Sequence, residues 1–238
     1  AEAPALRAAT LVACGTDLVA EQVLRLGVPD GRVIVTPTGV DLAHFEAADR
    51  TAARRSLGIE DDFVVGWAGS FRAFHRIEQL VDAAALAGPV TLLLVGDGPE
   101  RAAIERRASA AGVRARFTGM VPHHELPSML AAMDVGVVLA SPDVPFHYSP
   151  LKAAEYLAAG LPVVAPAVAQ LAERLDDGGN ADLYRVGDVA ALAATLRALG
   201  DHPERRRSMA EAARRSAPAW SWDHQVRRVR AALAGSLS

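Results

Sequence analysis

The chain has 238 residues, 51% of them hydrophobic and 22% charged, with a formal net charge of −3 at pH 7. That is a soluble globular composition, long enough for one large domain or two small ones. It offers no basic field for nucleic acid, and no apolar run reaches the ~20 residues that span a bilayer. The single cysteine, Cys14, excludes an internal disulfide, fits a reducing cytoplasmic setting and, following an apolar run, reads as a buried structural thiol. The first residue is Ala1 rather than methionine, which fits a fragment or a processed product.

Residues 2–9 read as a helix end and 10–14 as a short apolar strand. Thr16 or Asp17 can cap a helix whose apolar positions include Leu18, Val19, Val23, Leu24 and Leu26, with Gly27 as its stop. A second strand covers 32–35, and a short helix covers 51–57 before Gly58. From Phe63 the pattern becomes regular. Strands are expected at 63–69, 90–95, 114–117, 134–139, 161–165 and 183–186. Helices are expected between them at 76–86, 100–111, 125–132 and 151–159, then near 188–199, 203–217 and 222–233. Strands that are apolar throughout are covered on both faces, so the alternation predicts an α/β, doubly wound parallel sheet, Rossmann-like. Ligands of such sheets sit beyond the carboxyl ends of the strands. Those ends carry Gly69-Ser70-Phe71-Arg72, Gly96-Asp97-Gly98, Gly119-Met120-Val121-Pro122 and the stretch 141–149.

The most informative stretch is Phe146 to Pro166. Ser149 reads as an N-cap, Pro150 as the first helical residue, Leu151 to Ala159 as the helix and Gly160 as its C′ residue. A helix N-terminus suits a phosphate, Lys152 adds a formal charge, and Glu155 lies one turn on. Two readings stay open: an i, i+3 ion pair, or Lys152 on a diphosphate with Glu155 on ribose hydroxyls. Gly69-Ser70 with Arg72, and Gly96-Asp97-Gly98, are either tight turns or backbone walls beside a nucleotide. The second lacks the third glycine of G-x-G-x-x-G, since position 101 is Arg, and no P-loop occurs. The seven histidines show no metal-ligand spacing, but His75 and His147 fall on the expected rim.

Five ordered motifs resemble one family. They are Val33-Ile34-Val35-Thr36-Pro37-Thr38-Gly39-Val40-Asp41, the run Val65 to His75, Leu92 to Pro99, Phe117 to Pro122, and Ser149 to Val164. Together they resemble the carboxyl-terminal, donor-binding half of GT-B retaining glycosyltransferases, family GT4. The resemblance implies a division into 1–32, the last strand and helix of an acceptor domain plus linker; 33–217, the donor domain; and 218–238, a helix crossing back. It implies transfer of a sugar from a UDP- or GDP-linked donor to a lipid, glycan or small metabolite, without metal or cofactor. Arg72 and Lys152 become the catalytic charges on the leaving diphosphate. Gly69, Ser70, Phe71, His75, Gly96, Asp97, Gly98, Met120, Val121, His147, Ser149, Pro150, Leu151 and Glu155 become the donor-binding set.

Glu155 matches the second glutamate of the family's E-x7-E signature, whose first would fall at His147. The Arg and Lys of the commoner loop would fall at Ser70 and His75. Taken alone, the chain is expected to bind donor without transferring it. Its expected partners are an NDP-sugar and the missing acceptor domain, with no nucleic acid and no transmembrane segment, and with peripheral contact at the inner membrane face for the whole enzyme. Leu6, Leu11, Val12, Trp220 and Trp222 are expected as exposed apolar surface through which the chain self-associates. A UDP-sugar 2-epimerase-like isomerase and a non-catalytic nucleotide-binding or assembly module are the alternatives.

Overall fold

The computed structural model describes residues 2–46, 48–144 and 150–236, so the expectations placed on His147 and Ser149 lie outside the described residues. The strands are β1 (Val12–Cys14), β2 (Val33–Val35), β3 (Val64–Ala68), β4 (Thr91–Val95), β5 (Arg114–Gly119), β6 (Val135–Val137), β7 (Val163–Pro166) and β8 (Ala181–Tyr184). Six of them form one parallel sheet in the order β5-β4-β3-β6-β7-β8. Every residue of β3, β4, β6 and β7 is buried, as expected of strands with helices on both faces. The chain steps outward from β3 through β4 to β5, then returns to lay β6 against the other side of β3. Connections leave β3 and β6 in opposite directions, and the crevice between their carboxyl ends is where such a sheet takes a ligand.

A pair of glycines makes that centre work. Gly66 of β3 lies directly opposite Gly136 of β6. A Cβ on Gly66 would overlap the Met133 side chain, and one on Gly136 would stand 2.5 Å from the Tyr156 ring. The missing side chain of Gly136 lets Tyr156, fully buried on the helix Leu151–Ala158, lie against the sheet, and that of Gly66 makes room for Met133. From there its hydroxyl accepts the Ala68 N–H at 3.0 Å, tying the helix to the end of β3. At the opposite end, Asp134 accepts the Val64 N–H at 2.8 Å and pairs with Arg50 at 2.6 Å and Arg54 at 3.2 Å. Asp62 likewise accepts Thr91 and Arg114, both at 2.7 Å.

β1 and β2 form a separate two-stranded parallel sheet, Val12 facing Val33 and Cys14 facing Val35. Val33–Val35, grouped by sequence with the larger unit, therefore pairs with the first strand. Its Val33 and Val35 join Leu6 and Val12 around the buried cluster Cys14, Ala20, Val23 and Val28. Burial pushes the Cys14 thiol pKa up, consistent with a structural thiol. The helix Trp222–Ser236 returns to this small sheet. Val40 donates to the Trp220 carbonyl at 3.0 Å, Trp222 donates to Val40 at 3.1 Å, and Thr36 Oγ1 meets Gln225 Oε1 at 3.2 Å. Trp220, expected at the surface, is only 4% exposed because it packs into the core of the larger unit. Trp222, two residues on, is 51% exposed.

Candidate functional site

A cavity of about 420 Å³ opens at the crevice between β3 and β6. Ala68, Gly69 and Ser70 enter it from the end of β3, Val95 and Gly96 from β4, and Val138 and Leu139 from just past β6. Met120, Val121, His123 and Leu126 close one side, and Pro150, Leu151, Lys152 and Glu155 the other. Nine of the residues expected for the site thus meet around one space: Gly69, Ser70, Gly96, Met120, Val121, Pro150, Leu151, Lys152 and Glu155. His75 is a tenth.

The glycines let these loops nest. Gly69 has φ +150, and a Cβ there would stand 2.8 Å from Lys152 Cε and Nζ. A Cβ on Gly96 would overlap the Gly69 carbonyl oxygen, and one on Gly98 would lie 2.6 Å from the Phe71 carbonyl oxygen. Phe71, Asp97 and Gly98 serve this nesting and do not line the cavity. Phe71 is fully buried against Trp67 and Phe117, with ring centroids at 5.5 and 6.3 Å. Asp97 accepts the Gly98 N–H at 2.7 Å and pairs with Arg101 at 3.0 Å. Arg72 is exposed and also stands outside the lining.

Pro150 occupies the cap position rather than the first helical one. Its ψ of 49° lies outside the helix, and its carbonyl accepts the first helical bond, from Ala154 at 3.2 Å. The N–H groups of Leu151, Lys152 and Ala153 therefore precede the helix's own ladder. The helix ends as expected. Gly160 has φ +69 and donates to Leu157, while Leu161 donates to Tyr156.

The electrostatics of the cavity are uneven. Lys152 Nζ lies 5.1 Å from the centroid of the buried Trp67 ring, and among the described residues it forms no ion pair with Glu155. Burial lowers the Lys152 pKa, with Glu155 acting against the shift. Burial raises the Glu155 pKa, with Lys152 and His44 pulling the other way. His75 is 7% exposed, with its ring 5.4 Å from Trp67 and 4.3 Å from Phe74. Burial first, then the charges of Lys152 and Arg72, lower its pKa to about 4, so the imidazole is neutral at pH 7. At the mouth, His44 stacks on His123 with centroids 4.4 Å apart. A cavity with a desolvated cation, a nearby carboxyl and apolar walls can hold an anionic group joined to a hydroxylated and a flat apolar one. Among the described residues no three His, Cys, Asp or Glu side chains gather to hold a metal.

Sequence reading missed Val138, Leu139, His123 and Leu126 as lining, and Tyr156 as the strut behind it. Val138 and Leu139 could have been found, since they directly follow the strand at which the sheet reverses direction.

A family model for glycosyl transferases group 1 matches residues 62–202. The chain is 34% identical over 236 residues to the D-inositol 3-phosphate glycosyltransferase of Geodermatophilus obscurus, covering 91% of this chain and 50% of that protein. It spans about half the length of the curated relatives it matches. The crystal structure of Anabaena HepE in complex with UDP-glucose superposes with a TM-score of 0.83 at 22% identity, covering 97% of this chain and 65% of that one. The C-terminal domain of the glycosyl transferase group 1 family protein LpcC from Francisella tularensis superposes with a TM-score of 0.66 at 22% identity, over 76% of this chain and 97% of that domain. The parallel sheet is thus the Rossmann-like layer of GT-B enzymes, and the chain belongs to the glycosyl transferases group 1 family.

Proposed function

We propose that this chain supplies the donor site of a retaining glycosyltransferase, binding an NDP-sugar in the cavity between β3 and β6. The observation that carries the reading is the placement of Lys152 against Gly69. A desolvated ammonium and a glycine backbone face the same space as the first N–H groups of a helix, and Glu155 stands one turn along. In this reading Lys152 and those N–H groups take the diphosphate, and Glu155 accepts from the ribose hydroxyls. Met120, Val121, Leu126, Val138 and Leu139 offer the apolar surface for the base. As the glycosidic bond breaks, charge develops on the diphosphate, and Lys152 stabilises it without a metal. Arg72, exposed outside the lining, adds its charge to the field at that end of the cavity, where it already acts on His75.

HepE is known in complex with UDP-glucose, and relatives of this chain are named as transferases acting on D-inositol 3-phosphate and on 2-deoxystreptamine. A uridine nucleotide and a small polar acceptor are accordingly the first substrates to try. Calorimetry with UDP, GDP and ADP tests the donor site. Micromolar to submillimolar binding of at least one is expected, and silence toward all three at millimolar ligand rejects the reading. The same reading has the chain alone bind donor without moving the sugar.

A further inference from the structure

We propose that His75 is a second, proton-dependent cation for the donor diphosphate, so that a proton is taken up from solvent as the nucleotide sugar binds. The inference rests on the donor-site reading above and concerns how the same cavity is charged. His75 lines the cavity together with Lys152, and both lie against the buried Trp67 ring, at 5.4 and 5.1 Å. Its ring is nearly enclosed, so its charge state answers to what fills the cavity rather than to bulk water.

The charges around it set the direction. From its own loop come Arg72 and Arg76, the latter paired with Glu78 at 3.1 Å. From the helix Leu151–Ala158 come Lys152 and Glu155, and across the mouth stand His123 and, stacked on it, His44. Burial and the neighbouring cations Lys152 and Arg72 hold the empty site's imidazole neutral down to about pH 4. A diphosphate beside Lys152 reverses the balance. In the proposed pose it brings two negative charges into the cavity that the ring lines, and a nearby opposite charge favours the protonated imidazole.

In the complex the imidazole therefore titrates above its empty-site value of about 4. Between the empty and bound values the bound state holds the extra proton, and affinity rises as pH falls. The proton comes from solvent and rests on the ring. No bond is made or broken in the ligand.

UDP-glucose is the appropriate probe, because its phosphates are diesterified. The terminal phosphate of UDP itself titrates near pH ~6, as phosphomonoesters do. Calorimetry of the full chain with UDP-glucose at pH 6, in buffers of different ionisation enthalpy, counts the protons. Uptake of a sizeable fraction of a proton is expected at pH 6, vanishing by pH 8. The dissociation constant should rise on the order of tenfold from pH 5.5 to 8. His75→Gln should abolish the uptake and flatten the pH profile. A purely structural role for the ring would instead weaken binding equally at all pH values, and that result overturns the proposal. Uptake that persists in His75→Gln and disappears in Glu155→Gln overturns it too, by moving the titrating group to Glu155. Binding with no proton uptake in the native chain rejects the role of His75 alone, whereas absence of any UDP or UDP-glucose binding rejects the donor site itself.

Discussion

At the scale of single residues, the candidate site is built around one lysine that the fold desolvates without giving it, among the described residues, a carboxylate at ion-pair distance. Such a cation is costly in the empty state and becomes favourable when an anion arrives. Lys152→Ala should therefore weaken UDP binding by roughly 10- to 100-fold, the range of a charge-assisted hydrogen bond, while weakening uridine binding far less. Calorimetry with the two ligands checks this. Equal losses would mean that Lys152 only shapes the helix. Lys152, Glu155 and Gly69 were legible as a set, because a helix start, a strand end and their residue types are local features. The structural duties of Phe71, Asp97 and Gly98 were not. A glycine turn facing a ligand and one nesting against another loop have the same sequence, and only the approach of the Phe71 backbone to Gly98 separates them.

At the scale of elements, the strand ladder followed directly from apolar runs closed by glycine, and the structure kept each of the six main strands within a few residues of its expected place. The pairing of β2 with β1 was not accessible in the same way. Three residues carry too little pattern to name a partner, and the choice depends on which elements enclose them. The strut between the helix Leu151–Ala158 and β3 was also hidden, since it needs Tyr156, Gly136 and Ala68, which are far apart in the chain. Tyr156→Phe should cost about 1–3 kcal/mol in urea unfolding, because it leaves the buried Ala68 N–H without its acceptor.

The amino ends of the strands, opposite the cavity, offer a pH test. Burial raises the Asp62 pKa, but hydrogen bonds from Thr91 and Arg114 outweigh it, so the net shift is downward from 3.8. A depressed carboxyl contributes stability above its unfolded pKa and loses it as pH falls through the folded value. Asp62→Ala should thus cost about 1 kcal/mol at pH 7, and the gap to the native chain should narrow below pH 3.8 in parallel thermal melts.

At the scale of the whole molecule, the returning C-terminal helix joins the small sheet to the large one. Gln225, buried at 3% exposure, meets Thr36 and donates to the Ala219 carbonyl at 3.0 Å. Gln170 reaches across to Asp17 at 2.9 Å. No described helix is long and apolar enough to cross a membrane. The chain's three tryptophans fall unequally on this plan. Trp220 and Trp222 belong to the joint, one buried and one exposed, whereas Trp67 is sealed beneath the cavity with Lys152 and His75 for neighbours. An indole excited state responds strongly to the charges next to it, so Trp67 is an intrinsic optical reporter beneath the proposed nucleotide site. Titration with UDP should change the emission in native protein, and should do so undiminished in a Trp220→Phe, Trp222→Phe background. Calorimetric binding with a silent spectrum would show that Trp67 does not sense the ligand. With the signal present, nucleotide occupancy could be followed on the millisecond scale by stopped flow, with no label attached.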